Sequence, residues 1–84
     1  MRNPYKKVTV EWVDASTNAG WEDLEIVLKE RPHPVTTTGY LVHEDEECVV
    51  IATTMSYDKD GKCWTVNGWF CIPSPWVVRM KGYR

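Results

Sequence analysis

The residues of this chain best equipped for chemistry are three cysteines, Cys48, Cys63 and Cys71, and two histidines, His33 and His43. Thiolate and imidazole together are zinc ligands. No two cysteines form a C-x-x-C pair, and no Cys–His spacing matches a zinc pattern, so no metal site is expected. The odd cysteine count argues against a disulfide scaffold and for a reducing compartment. Cys48 and Cys71 lie in apolar stretches, where an unpaired cysteine acts as a small hydrophobe. Asp14 with Ser16 ends a strand-like segment and is read as a turn or cap. Cys63 with His43 could be a nucleophile and base, but nothing in the spacing joins them. There is no Gly-rich phosphate loop and no nucleophile elbow. The expectation is a protein with no catalytic residue and no cofactor, which binds rather than catalyses.

Binding chemistry has more to work with. Arg2, Lys6 and Lys7 open the chain, and Arg79, Lys81 and Arg84 close it. No acid occurs from Gly61 onward, whereas acids gather at Glu22, Asp23, Glu25 and Glu30 and in the run Glu44 to Glu47. A molecule with separated poles can hold an anion at one of them although its net charge is −2. The alternative is an ordinary solvated surface. Five Trp and four Tyr are a high aromatic load for 84 residues. A cation beside a flat π face is what a phosphate-bearing nucleotide requires. The candidate ligand-binding residues are therefore Lys7, Trp12, Asp14, Trp21, Tyr40, Trp69, Arg79 and Lys81. The same tryptophans could equally build the core or an inter-subunit contact.

The length allows one domain, 1–84, small enough to be marginally stable alone, with frayed ends at 1–6 and 82–84. Lys7 to Asp14 alternates, with Val8, Val10 and Trp12 on one face, and predicts a strand. Ser16 to Gly20 breaks it. Trp21 to Arg31 carries an apolar stripe of Trp21, Leu24, Val27 and Leu28, predicting a helix capped by Thr17 or Asn18 and stopped by Pro32 and Pro34. Leu24, Ile26 and Leu28 also alternate, which leaves a strand open. Val35 to His43 predicts a strand in which Gly39 marks a bend or a close backbone approach. Glu44 to Glu47 predicts an acidic hairpin tip. Cys48 to Met55, apolar on both faces, predicts a central strand. Asp58 to Gly61 is a turn sequence. Lys62 to Ile72 predicts a strand with Asn67-Gly68 as a bulge or kink, because a hairpin there would leave too short a strand. A single turn after Pro73 leads to a last strand, Trp76 to Met80. Five short strands with one helix after the first predict a mostly β fold, a small SH3-like or Sm-like five-stranded barrel. In such a barrel the first and last strands are neighbours, which would bring Lys6 and Lys7 beside Arg79 and Lys81.

Three groups of residues together carry a resemblance. They are Trp12-Val13-Asp14-Ala15 followed by Gly20-Trp21, then Gly39-Tyr40-Leu41 leading to Val49-Val50-Ile51-Ala52, and then Cys71-Ile72-Pro73. Their order and spacing resemble a family of short, mostly uncharacterised proteins encoded by bacteriophages and prophages, from about Val8 to Met80. The chain departs from that pattern in its acidic run Glu44 to Glu47 and in extra aromatics between Lys62 and Phe70. The resemblance implies a phage accessory protein of the host-takeover or anti-defence kind. With the basic pole and the tryptophans, it leads to the expectation of a homo-oligomer that sequesters a small anionic ligand or signalling nucleotide. Two alternatives stay open. One is a module that binds a host or phage protein, with the acidic tip imitating nucleic acid. The other is an Sm-like binder of single-stranded nucleic acid, which the net negative charge disfavours. No apolar leader occupies positions 1–10 and no run approaches about 20 apolar residues, so a location in the bacterial host cytosol, away from membranes, is expected.

Overall fold

In β1 (Lys6–Asp14) the predicted alternation holds: Val8, Val10 and Trp12 are buried and the residues between them face away from the core. The computed structural model describes residues 2–82. Four further strands follow: β2 (His33–Glu44), β3 (Cys48–Asp58), β4 (Cys63–Pro73) and β5 (Val77–Gly82). All pair antiparallel in one sheet of order β4-β3-β2-β1-β5. The first and last strands are therefore neighbours, as predicted. A 3-10 turn, Ser74–Trp76, makes the predicted short link between β4 and β5.

The sheet is open, and its closure into a barrel is not seen. β4 and β5 are its two edges. The cause lies in strand lengths. β5 has six residues and β4 has eleven. β2 pairs with β3 only from Tyr40↔Ala52 to Glu44↔Val49, so the distal half of the β3–β4 hairpin runs past β2 as a two-stranded ribbon. On that ribbon Trp64 packs edge-on against Tyr57 and Tyr5, and the Asn3 amide donates to the Met55 sulfur. The chain thus crosses the ribbon at residues 3–5, where fraying was expected. At the other end β5 reaches Gly82, and positions 83–84 lie outside the described residues. The long dimension is 56 Å and the radius of gyration 16.8 Å. A compact domain of this length would measure about 12 Å.

One face of the sheet carries the core: Val8, Val10, Trp12, Val49, Ile51 and Ile72, with Val35, Leu41, Val77 and Met80 at its margin. Gly39 sits where β2 and β3 come close, because a Cβ there would lie 2.5 Å from the Ala52 carbonyl oxygen. β4 runs through Asn67-Gly68 in unchanged register with β3, so neither a hairpin nor the expected bulge forms there. Gly68 takes φ +84°, and the Thr53 hydroxyl donates to the carbonyls of both residues.

The predicted helix shrinks to a single turn, α1 (Leu24–Val27). Asp23 stands at its N-cap without a side-chain cap bond, and the Asn18 amide bonds Glu22 instead. Short helices persist mainly through tertiary packing. None is supplied here, since every residue from Ala15 to Pro34 is exposed. Cys71 also departs from expectation: it faces outward on β4 and is exposed rather than packed as a small hydrophobe.

Candidate ligand-binding face

Strand register places five of the eight candidate residues on the face opposite the core. Directly paired residues of antiparallel strands project to the same side. Lys7 pairs with Tyr40, Tyr40 with Ala52, and Ala52 with Trp69, so one rung crosses four strands as Lys7–Tyr40–Ala52–Trp69. The next rung on this face is Lys81–Thr9–Thr38, and the one after is Arg79–Glu11–Thr36. A cation, two aromatic rings and three threonines thus share one surface with a second lysine and a paired arginine.

Tyr40 and Trp69 flank Ala52. With strands about 4.8 Å apart, their Cβ atoms stand about 10 Å from each other. Ala52 is fully buried between them, while Trp69 is exposed and Tyr40 half-buried. A small floor with an aromatic wall on each side can accept a flat ring system. Lys7 continues the rung past Tyr40, and Lys81 lies on the diagonal from it. The Thr9 and Thr38 hydroxyls, on the Lys81 rung, are 2.9 Å apart. A hydroxyl of this kind is able to donate to a phosphate oxygen.

Arg79 is held more tightly than a free cation. Its Nη2 donates to both carboxylate oxygens of Glu11, at 2.8 and 2.9 Å, and its Nε donates to Oε2 at 3.2 Å. These bonds lower the Glu11 pKa below its ordinary value and raise that of Arg79. Glu11 therefore occupies the guanidinium and sets a negative charge beside it. A shallow depression of about 650 Å³ lies over this corner, lined by Thr9, Glu11, Arg79, Met80, Lys81 and Gly82.

The other three candidates stand elsewhere. Trp12 is on the core face, with its Nε1 donating to the buried Thr37 hydroxyl at 3.0 Å and its ring edge-on to Phe70. This is the core use left open for it. Asp14 ends β1 opposite His33, seven residues and about 23 Å along the strand from Lys7, and accepts from the Ala15 N–H. Trp21 is on the exposed arm between β1 and β2, away from the rung. Conversely, Thr9, Thr38 and Glu11 belong to the surface without having been singled out. Their signal was present: they alternate with Val8, Val10 and Thr37 and so had to share the face of Lys7.

One rung beyond Tyr40–Ala52–Trp69 on the same face, at the β2–β3 turn, His43, Asp45 and Cys48 offer ligand atoms within 4.8 Å of one another. Among the described residues no helix is long and apolar enough to cross a membrane. Comparison with family models, with curated proteins and with solved structures finds no match to the chain.

Proposed function

We propose that the chain is a phage-encoded, oligomeric small-ligand-binding protein that sequesters an anionic nucleotide-type signal and so blunts a host defence. The rung Lys7–Tyr40–Ala52–Trp69, with Lys81 beside it, carries this reading. Tyr40 and Trp69 take the base between them. Lys7 and Lys81 take phosphate oxygens, with the Thr9 and Thr38 hydroxyls filling the space between. Stacking on two rings and charge from two lysines suit one compact ligand with both features. The phage assignment rests on the resemblance described above.

The oligomer is a second copy docked on the arm between β1 and β2. This arm carries Glu22, Asp23, Glu25 and Glu30 against Lys29 and Arg31, whereas Gly61 to Gly82 holds Lys62, Arg79 and Lys81 and no acid. The arm and the stretch Gly61–Gly82 thus carry opposite net charge. Both carry exposed apolar side chains: Trp21 and Leu28 on the arm, Val66 on edge strand β4 and Trp76 in the turn that leads to β5. A contact of this head-to-tail kind joins unlike surfaces and closes into a ring when the rotation permits.

The test is isothermal titration with mononucleotides and cyclic dinucleotides, beside native mass spectrometry of protein taken from defence-competent cells. Saturable binding, or a released adduct of defined mass, is expected, with loss of both in Lys7→Glu and Lys81→Glu. Absence of binding to every nucleotide tried, with no adduct, overturns the reading. Binding to single-stranded RNA alone, weakening steeply with salt, would replace it with the Sm-like one.

A further inference from the structure

The β2–β3 turn holds a second constellation, built independently of the aromatic rung. Pairing shifts between Leu41 and His43: Leu41 pairs with Ile51, but His43 pairs with Val50. The extra residue, Val42, forms a β-bulge. In an unbulged strand His43 would share the core-facing side of Leu41. The bulge turns it to the outer face, which is how bulges re-aim side chains.

Two cysteines reach the same place from the other strands. Cys48 pairs with Pro73 and Val50 with Cys71, so Cys48 and Cys71 are diagonal neighbours on the outer face. Asp45 is fixed between Cys48 and His43. Its Oδ1 accepts from the N–H groups of Glu47 at 2.8 Å and Cys48 at 2.9 Å, and its Oδ2 stands 2.6 Å from His43 Nε2. The turn is tied down from β4 as well: the Ser74 hydroxyl donates to the Asp45 carbonyl at 2.7 Å, and the Ser74 N–H to the Glu47 carbonyl at 2.9 Å.

We propose that this turn is a thiolate-containing site for a zinc-class divalent cation, with His43, Asp45 and Cys48 as ligands and Cys71 as the fourth. The donor set is two thiols, an imidazole and a carboxylate, which favours zinc over magnesium or calcium. Tetrahedral zinc needs ligand atoms about 3.3–3.8 Å apart. The three within 4.8 Å reach that spacing by small side-chain movements, in which His43 and Asp45 exchange their mutual hydrogen bond for the metal. Glu44, Glu46 and Glu47 surround the turn and add a negative field that draws cations. On binding, each thiol passes its proton to solvent and becomes a thiolate; no electron moves. His43 and Asp45 are exposed, so an ion enters directly from water.

Cobalt(II) titration of the reduced protein tests this, with circular dichroism as the folding control. One equivalent of Co²⁺ should raise a thiolate-to-cobalt charge-transfer band, and one equivalent of Zn²⁺ should remove it. Cys48→Ser and His43→Ala should each weaken Co²⁺ binding at least tenfold. Cys71→Ser should halve the band. Cys63→Ser should leave it unchanged, because Cys63 pairs with Asp58 at the far end of the hairpin. Should Cys48→Ser lose its fold, His43→Ala and Asp45→Asn carry the test. No band in the reduced wild-type protein, or a band that survives in His43→Ala and Asp45→Asn, overturns the site. A band unchanged in Cys71→Ser overturns the fourth ligand.

Discussion

Glu11 and Arg79 face each other across β1 and β5 in a forked pair, with the guanidinium Nη2 at 2.8 and 2.9 Å from the two carboxylate oxygens. The pair lies one rung from Lys81 and Thr9, so Glu11 governs how much positive charge this corner shows to an anion. Removing the carboxylate should strengthen anion binding. Glu11→Gln deletes a unit negative charge about one residue pair from the proposed phosphate position, an effect of about threefold in affinity in a water-like dielectric. Isothermal titration against the nucleotide that binds wild type checks this. Weaker binding in Glu11→Gln would show that Glu11 positions Arg79 for the ligand instead of competing with it.

The same pair predicts a pH dependence. Hydrogen bonds from Arg79 hold the Glu11 carboxyl below its ordinary 4.5. A group whose folded pKa is depressed contributes stability above its unfolded pKa and loses it as pH falls through the folded one. The pair is therefore intact above about pH 4.5 and opens at lower pH as Glu11 takes up a proton. Carboxyl ¹³C NMR should place the Glu11 midpoint below that of an unpaired glutamate and return it upward in Arg79→Gln. An unmoved midpoint in that variant would remove Arg79 as the cause.

Two tryptophans of one chain should respond in opposite ways. Trp69 is exposed on the outer face and Trp12 is buried on the other. Trp69→Ala should leave thermal stability nearly unchanged and cost the ligand about 1–3 kcal/mol of stacking, about 5- to 150-fold in affinity. Trp12→Ala removes a core ring and orphans the Thr37 hydroxyl, a loss of about 3–5 kcal/mol in stability. Chemical denaturation and titration of both variants separate the roles. A large stability loss in Trp69→Ala would mark it as structural.

How far the sequence foretold this arrangement can be traced through particular residues. Strand alternation sufficed for Val8, Val10 and Trp12, and turn chemistry for the acidic tip and the link after Pro73, because those signals are local. The Lys7–Tyr40–Ala52–Trp69 rung follows from register, which no window of one strand contains. His43 illustrates the limit best: its face depends on one inserted residue, Val42, visible only once β2 is aligned on β3. Barrel closure and the longer helix failed for a shared reason. Both required packing partners, and a core of six buried apolar residues among those described supplies none for the arm or the distal hairpin.

Gly39 should not tolerate a side chain. A Cβ there would meet the Ala52 carbonyl oxygen at 2.5 Å and Ile51 Cγ2 at 2.7 Å, both in the centre of the sheet. Gly39→Ala must push β2 from β3 and should cost about 1–3 kcal/mol. It would also tilt Tyr40, the next residue, and so weaken the nucleotide as well. Urea denaturation checks the first effect. A variant as stable as wild type would mean that the two strands separate without loss.

The arm between β1 and β2 should matter to assembly and not to the fold of one chain. Trp21, Leu24 and Leu28 are all at least 66% exposed and belong to no core cluster. Replacing Leu24 and Leu28 with lysine therefore removes no intrachain packing, and the denaturation midpoint of the separated chain should stay where it was. The same change puts two positive charges on a surface proposed to meet the acid-free stretch Gly61–Gly82 of a second copy, and like charges across an interface are repulsive. Size-exclusion chromatography with light scattering should show an oligomer for wild type and a single chain for the double variant. Charge reversal on the opposing surface, Lys62→Glu with Lys81→Glu, should restore association to the lysine variant. Rescue by that second pair identifies the arm's partner surface, because a general loss of apolar area would not be reversed by charge.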